Sequence, residues 1–131
     1  MSGAVAVRGA ILAALREDAA LMALVNLVAD GERMKASPPW LLVGDPTGTG
    51  WGARGVDGLA LRQPLLLTVR SDDSARMASV LERIDSVLRA MEGDLGAWRI
   101  TSLHRARTSI AHGRTAWRAS LDYAVRIARL H

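Results

Sequence analysis

The chain has no cysteine and no phenylalanine, and only one tyrosine. Without cysteine it can hold neither disulfides nor thiolate metal sites, which is compatible with a cytosolic product. So few rings also leave little for a base-stacking, RNA-reading sheet to work with. A long uninterrupted apolar run is missing too. The apolar N-terminal stretch, residues 4–15, is broken by Arg8 and is too short to span a bilayer. No basic segment or small-residue cleavage site marks it as a signal peptide, so no membrane role is expected. Acid is scarce in the C-terminal third. From Leu95 to His131 there are seven arginines (99, 105, 107, 114, 118, 126 and 129) and one acid, Asp122. That portion carries +6, the first 94 residues carry −2, and the total is +4. Such a basic segment suits a solvated strand face, an acidic protein partner or nucleic acid.

What is present is a foldable pattern. Half of the 131 residues are apolar, which excludes a disordered chain and allows one real core. With no repeat and no linker, the expectation is a single domain over residues 1–131. Its organising stretch runs from Asp72 to about Met91. Met77, Leu81, Ile84, Leu88 and Met91 recur at spacings of three and four, and Val80 and Val87 widen the stripe. That periodicity predicts an amphipathic helix, started by Ser71-Asp72-Asp73-Ser74 and stopped by Gly93. An earlier helix over residues 3–16 uses Ala4, Val7, Ile11 and Leu15, with Ser2 as its cap. Asp18 caps a shorter turn or helix to about Asn26, burying Leu21, Leu24 and Val25.

Leu27 to Ala29 reads as a short strand, Met34 to Ser37 as irregular, and Trp40 to Val43 as a buried strand behind Pro38-Pro39. Residues 44–58 hold six glycines in fifteen positions, which reads as a long flexible loop with Trp51 and Arg54 as interface anchors. Leu59 to Arg70 alternates as a strand, with Pro64 marking an edge, a bulge or a later start. Trp98 to about Arg107 and Thr115 to Arg129 form the last two strands, joined by a turn at His112-Gly113. The expected fold is α+β: about four antiparallel strands with two main helices on one face, in the order α-(α)-β-β-α-β-β.

Chemistry-bearing motifs fail in their context. Gly50-Trp51-Gly52-Ala53-Arg54-Gly55 matches G-x-G-x-x-G literally, but a strand follows it where the dinucleotide motif needs a helix. No lysine follows the glycines as a phosphate-binding loop requires. His104, His112 and His131 make no metal-ligand spacing. Ser102, His104 and Asp122 have no oxyanion donors beside them in sequence. No catalytic, cofactor-binding or metal-ligating residue is assigned, and no enzyme activity is expected.

The pattern resembles the small tail completion, or tail terminator, proteins of long-tailed phages and phage-derived gene transfer agents. The likeness rests on the opening helix Val7 to Leu21, the Pro-Pro-hydrophobic strand Pro38 to Gly44, and the strand Leu65-Leu66-Leu67-Thr68-Val69-Arg70-Ser71. That strand runs into the helix from Ala75 to Met91, and a closing hairpin ends in Arg118 to Arg126. The glycine-rich stretch around Trp51 is longer than the family pattern. The resemblance implies a structural virion protein in the tail or neck, assembled in the bacterial cytoplasm. It implies a ring, commonly hexameric, at the head-proximal end of the tail tube. That ring stops tube growth and docks head-closure (stopper) proteins, and DNA crosses its lumen without specific binding. No family catalytic residues carry over. The residues expected at subunit or partner interfaces are Trp51, Arg54, Arg62, Arg70, Arg105, Arg107, Arg114 and Arg118. The alternative is a nucleic-acid-binding domain using the arginine-rich C-terminal hairpin.

Overall fold

The computed structural model of the chain describes residues 2–31, 36–53 and 56–129. Helices α1 (Gly3–Glu17) and α2 (Ala19–Leu24) come first. Strands β1 (Leu27–Asp30), β2 (Trp40–Val43), β3 (Thr47–Ala53) and β4 (Val56–Arg70) follow. The chain then forms α3 (Ser74–Arg89), β5 (Trp98–His112) and β6 (Ala116–Arg129). The sheet order is β1-β2-β4-β6-β5, and β3 pairs with β4 below β2. The helices cover one face of it.

The α+β class expected from sequence is present, with three corrections. Among the described residues the sheet has six strands and is mixed, because β1 runs parallel to β2. The short element expected after the Asp18 cap is a helix, α2, and it packs against α1 and α3. The stretch read as a loop, residues 44–58, is largely strand: β3 pairs with β4 from Thr47↔Arg62 to Ala53↔Val56. Thr-Gly alternation carries no apolar signal and glycine has poor strand propensity. What holds β3 in place is its long template, since β4 runs unbroken for 15 residues. The last hairpin is also longer than expected. Thr108 to His112 belong to β5, and the turn closes at Gly113, whose N–H donates to the Ala116 carbonyl at 2.8 Å. The irregular stretch at Met34 and Lys35 lies outside the described residues.

The core follows the alternation of the strands. Leu61, Gln63, Leu65, Leu67 and Val69 of β4 point to the helices and are buried. Ala119, Leu121, Tyr123, Val125 and Ile127 of β6 do the same. From α3 come Met77, Val80, Ile84, Val87 and Leu88, while Leu81 and Met91 are only half-buried. The stripe is therefore centred one position away from the 77-81-84-88 row. Gly3 is where α1 comes closest to the sheet. A Cβ there would lie 2.6 Å from Ile127 Cδ1 and 3.0 Å from both Leu59 and Trp98, so a larger residue would have to push the Ile127 methyl aside.

Proline sits inside β4 without breaking it. The Pro64 carbonyl accepts from the Gly44 N–H at 3.0 Å. In an antiparallel strand the N–H and C=O of one residue point to the same side. The nitrogen of Pro64 therefore faces the corner between β2 and β3, and its missing proton removes no bond to β6.

Arginines tie the helices to the sheet and to one another. Arg16 donates twice to the Val28 carbonyl, and Arg76 to the Leu24 carbonyl at 3.1 Å. Asp73 caps α3 by accepting from the Arg76 N–H at 3.1 Å, whereas Ser2 makes no side-chain cap on α1. Asp18 caps α2 through the Leu21 N–H at 2.8 Å and receives a two-point contact from Arg83 at 2.7 and 2.6 Å. The Arg83 hydrogen bonds hold the Asp18 carboxyl below its usual value, against the opposing effect of burial.

Removing that carboxylate by Asp18→Ala is expected to cost about 1 kcal/mol, the usual value of a helix N-cap. Because the folded pKa is depressed, the contribution is complete above about pH 4. It is lost as pH falls through the folded value. Denaturant titrations at pH 7 and pH 3 should show the gap between wild type and variant closing at the lower pH.

A candidate assembly surface

Among the described residues the face of the sheet opposite the helices is bare except at Thr68 and Ala116, which are buried. Register decides which side chains it carries. Residues 58, 60, 62, 66, 68 and 70 of β4 pair with even-numbered residues of β6, and all of these point away from the helices. This places Arg62, Arg70, Arg118 and Arg126 on the bare face. On β5, two irregularities, between Ile100 and Ser102 and between Arg105 and Arg107, shift the alternation. Arg99 and Arg107 therefore join the bare face, while Arg105 turns to the helix side. Six arginines share this face with one acid of the same strands, Asp122, which pairs with Arg62 at 3.2 Å.

The seven arginines of the C-terminal third make no ion pair with a carboxylate among the described residues, whereas Arg8, Arg62, Arg70, Arg76, Arg83 and Arg89 do. Two of the seven sit over indoles instead: Arg126 lies 5.8 Å from the Trp51 ring and Arg129 lies 5.7 Å from Trp98. Arg105 runs beside the buried Tyr123, and its Nη1 is buried without a hydrogen-bond partner. The Tyr123 hydroxyl donates to Asp85 at 3.2 Å. Its pKa is driven up first by burial and then by the Asp85 charge, and the nearby arginines offset part of this. Tyr123 is therefore a neutral donor at physiological pH.

Trp51 lies flat on the bare face over Gly58. A Cβ on Gly58 would fall 2.2 Å from Trp51 Cε2, so the indole occupies the space that any other residue would fill. The Trp51 Nε1 is buried without a partner. Beside it runs a groove of about 480 Å³ floored by Ala60 and Ala124 and walled by Thr49, Arg62, Ser102 and His104. At the far end of the sheet His112 stacks on Trp117 at 3.8 Å, and the Trp117 N–H donates to the Ser71 carbonyl at 3.2 Å. That stack fixes the base of the hairpin tip where Arg114 is exposed.

Of the interface residues expected from sequence, the structure gathers Trp51, Arg62, Arg70, Arg107 and Arg118 on one face. Arg105 points to the other side, Arg114 stands at the tip, and Arg54 lies outside the described residues. Arg99 and Arg126 belong to the face and were not expected there. The alternation of β6 alone would have placed Arg126 with Arg118. No sequence signal separates Arg105 from Arg107, because the bulge between them lies in the backbone.

Gly58→Ala is expected to lift the Trp51 indole from the sheet and to cost about 1–2 kcal/mol. The measurement is tryptophan emission, which should shift to the red. The same substitution made together with Trp51→Leu should produce no shift.

The sequence profile of the tail completion protein gp17 family matches residues 9–128. No curated protein matches the chain in sequence. Among solved structures it is similar to a chain in the virion of a native gene transfer agent particle, with a TM-score of 0.76 and 18% identity. That alignment covers 97% of this chain and 99% of the other, and at such identity the likeness speaks to the fold alone. The profile match runs over nearly the whole chain, and the chain belongs to the tail completion protein gp17 family.

Proposed function

We propose that copies of this chain close into a ring of six at the head-proximal end of a tail tube. The ring ends tube polymerisation and offers the head-closure protein a docking surface, while DNA crosses its lumen without specific contact. The broader role follows from the family: the protein is a structural component of the tail or neck of a phage-like virion. The observation that carries the finer reading is a surface left unneutralised. The seven C-terminal arginines have no carboxylate partner among the described residues, and four of them lie on a helix-free face. In the other portion of the chain Glu17, Glu82 and Glu92 are exposed. A ring is a heterologous assembly and needs two different complementary patches on each subunit. The −2 and +6 portions supply them. Trp51 and Arg54 serve this contact in the same reading.

The basic face also favours a second reading, in which the arginines neutralise phosphates. The two separate by salt. A nucleic-acid-binding domain loses DNA affinity steeply, with a log–log slope of about −0.9 for each phosphate neutralised on duplex DNA.

The decisive experiment adds purified protein to polymerising tail tube protein and measures tube lengths by electron microscopy. Short tubes capped at one end by a ring are expected. Uncapped tubes of unchanged length would refute the terminator role. The double variant Trp51→Ser, Arg54→Gly should melt as a folded monomer yet cap at least tenfold less efficiently.

A further inference from the structure

The two long margins of the sheet differ in kind. On one side β5 is partly closed: the Ile100 N–H donates to the Gly93 carbonyl at 2.7 Å, and the Trp98 carbonyl accepts from the Leu95 N–H at 2.9 Å. Beyond Ile100 no described strand pairs with its outer edge, and Ile110 on it is 50% exposed. On the other side β3 pairs only with β4 among the described strands. With the Pro64 carbonyl turned to Gly44, even residues of β4 face β3. Thr47, Thr49 and Trp51 therefore bond to β4, and Gly48 and Gly50 present their N–H and C=O groups outward.

An open edge normally carries a proline, an inward charge or a bulge that blocks further pairing. Residues 47–53 of β3, Thr-Gly-Thr-Gly-Trp-Gly-Ala, have none of these. The edge of β5 does carry bulges and arginines, which discourage indiscriminate pairing and select an acidic partner. Asp45, with its side chain 97% exposed and only a 3.9 Å approach to Arg8, stands at the head of β3. Arg107 and Arg114 stand exposed on and beyond β5.

We infer that the β3 edge of one subunit takes the uncovered edge of β5, Leu103 to Ile110, from a second copy of this chain. The inference rests on the ring reading and names its joint. Directions agree: β3 runs antiparallel to β4, β4 to β6 and β6 to β5, so β3 and β5 of one sheet run oppositely. A rotation about an axis along the strands preserves directions, so the β5 of a neighbour meets β3 antiparallel. Level strands would set β3 against residues 99–104 of β5. A stagger of a few residues, which the tilt of strands in a closed sheet supplies, moves it onto the bare stretch. It also brings Asp45 toward the arginines of the hairpin. The joint is main-chain hydrogen bonding, with charge choosing the partner.

The test uses proline on each edge. At Gly50 a Cβ meets nothing within 4 Å, so Gly50→Pro deletes an outward N–H and Gly50→Ala does not. Thr108→Pro deletes an outward N–H on β5. Closed oligomers are followed by native mass spectrometry, alone and on tail tubes, with thermal melts to verify folding. Both proline variants should lose ring formation at least tenfold, and Gly50→Ala should match wild type. Folded proline variants that close rings normally would overturn the joint and leave the ring standing, as would an alanine variant as defective as the proline one. Normal rings that no longer bind tubes would assign the edge to the tube protein, against this inference. Wild type that forms no ring in either setting would overturn the ring reading and the joint together.

Discussion

The structure depends on how one backbone carbonyl is satisfied. At Gly44 the chain leaves β2 and sets out along the lower half of the same β4 edge as β3. That corner sets three residues, 44–46, against two of β4, so the ladder is interrupted inside a covered sheet. Unpaired buried backbone groups cost as much as lost hydrogen bonds. The Gly44 carbonyl accepts from Gln63 Nε2 at 2.8 Å and from Arg8 Nε at 2.9 Å. Gln63 also donates to the Pro64 carbonyl, and Arg8 to the Val43 carbonyl at 3.0 Å. Gln63 is fully buried on an otherwise apolar face. Its amide repairs the break, and Arg8 brings α1 to the same point. If the corner failed, β3 would lose its register on β4 and the bare face would lose Trp51.

That corner also separates two classes of arginine. Arg8, Arg16, Arg76 and Arg83 have their donors used inside the chain, on carbonyls or on Asp18. They act as clamps, and a planar fork of donors suits this better than a lysine does. The arginines of β5 and β6 have no such use. Both classes look alike in composition. Only position relative to the helix layer tells a clamp from a cation left for a partner.

Much of this was legible in the chain. The α3 periodicity, the Asp18 cap and the alternation of residues 117–127 are local patterns, and local patterns survive folding. The alternation of residues 59–70 sets Gln63 in the same row as Leu61, Leu65 and Leu67. Three features were not legible, each for a physical reason. A four-residue strand such as β1 is too short for its pattern to reveal a parallel partner. Strand β3 is set by pairing with β4 and carries no apolar alternation of its own. The bulge between Arg105 and Arg107 is a backbone choice, and it sent two arginines that alternation would have kept together to opposite faces.

The subunit is incomplete in two ways that concern the same assembly. Seven of its arginines make no ion pair with a carboxylate among the described residues, and its glycine-rich edge keeps outward backbone groups unpaired among the described strands. Water satisfies both in a free subunit, so neither destabilises the fold. Among the described residues an apolar core lies between three helices and a six-stranded sheet. Stability and assembly are thus assigned to different parts of one sheet. The helix-covered face keeps the monomer folded, and the bare face and edges hold groups that gain only when another surface displaces water. Under the proposed terminator role, that division keeps a free copy folded and unpaired until a tube reaches its final length. In the proposed ring, contacts that are weak singly become strong when closure makes all of them at once.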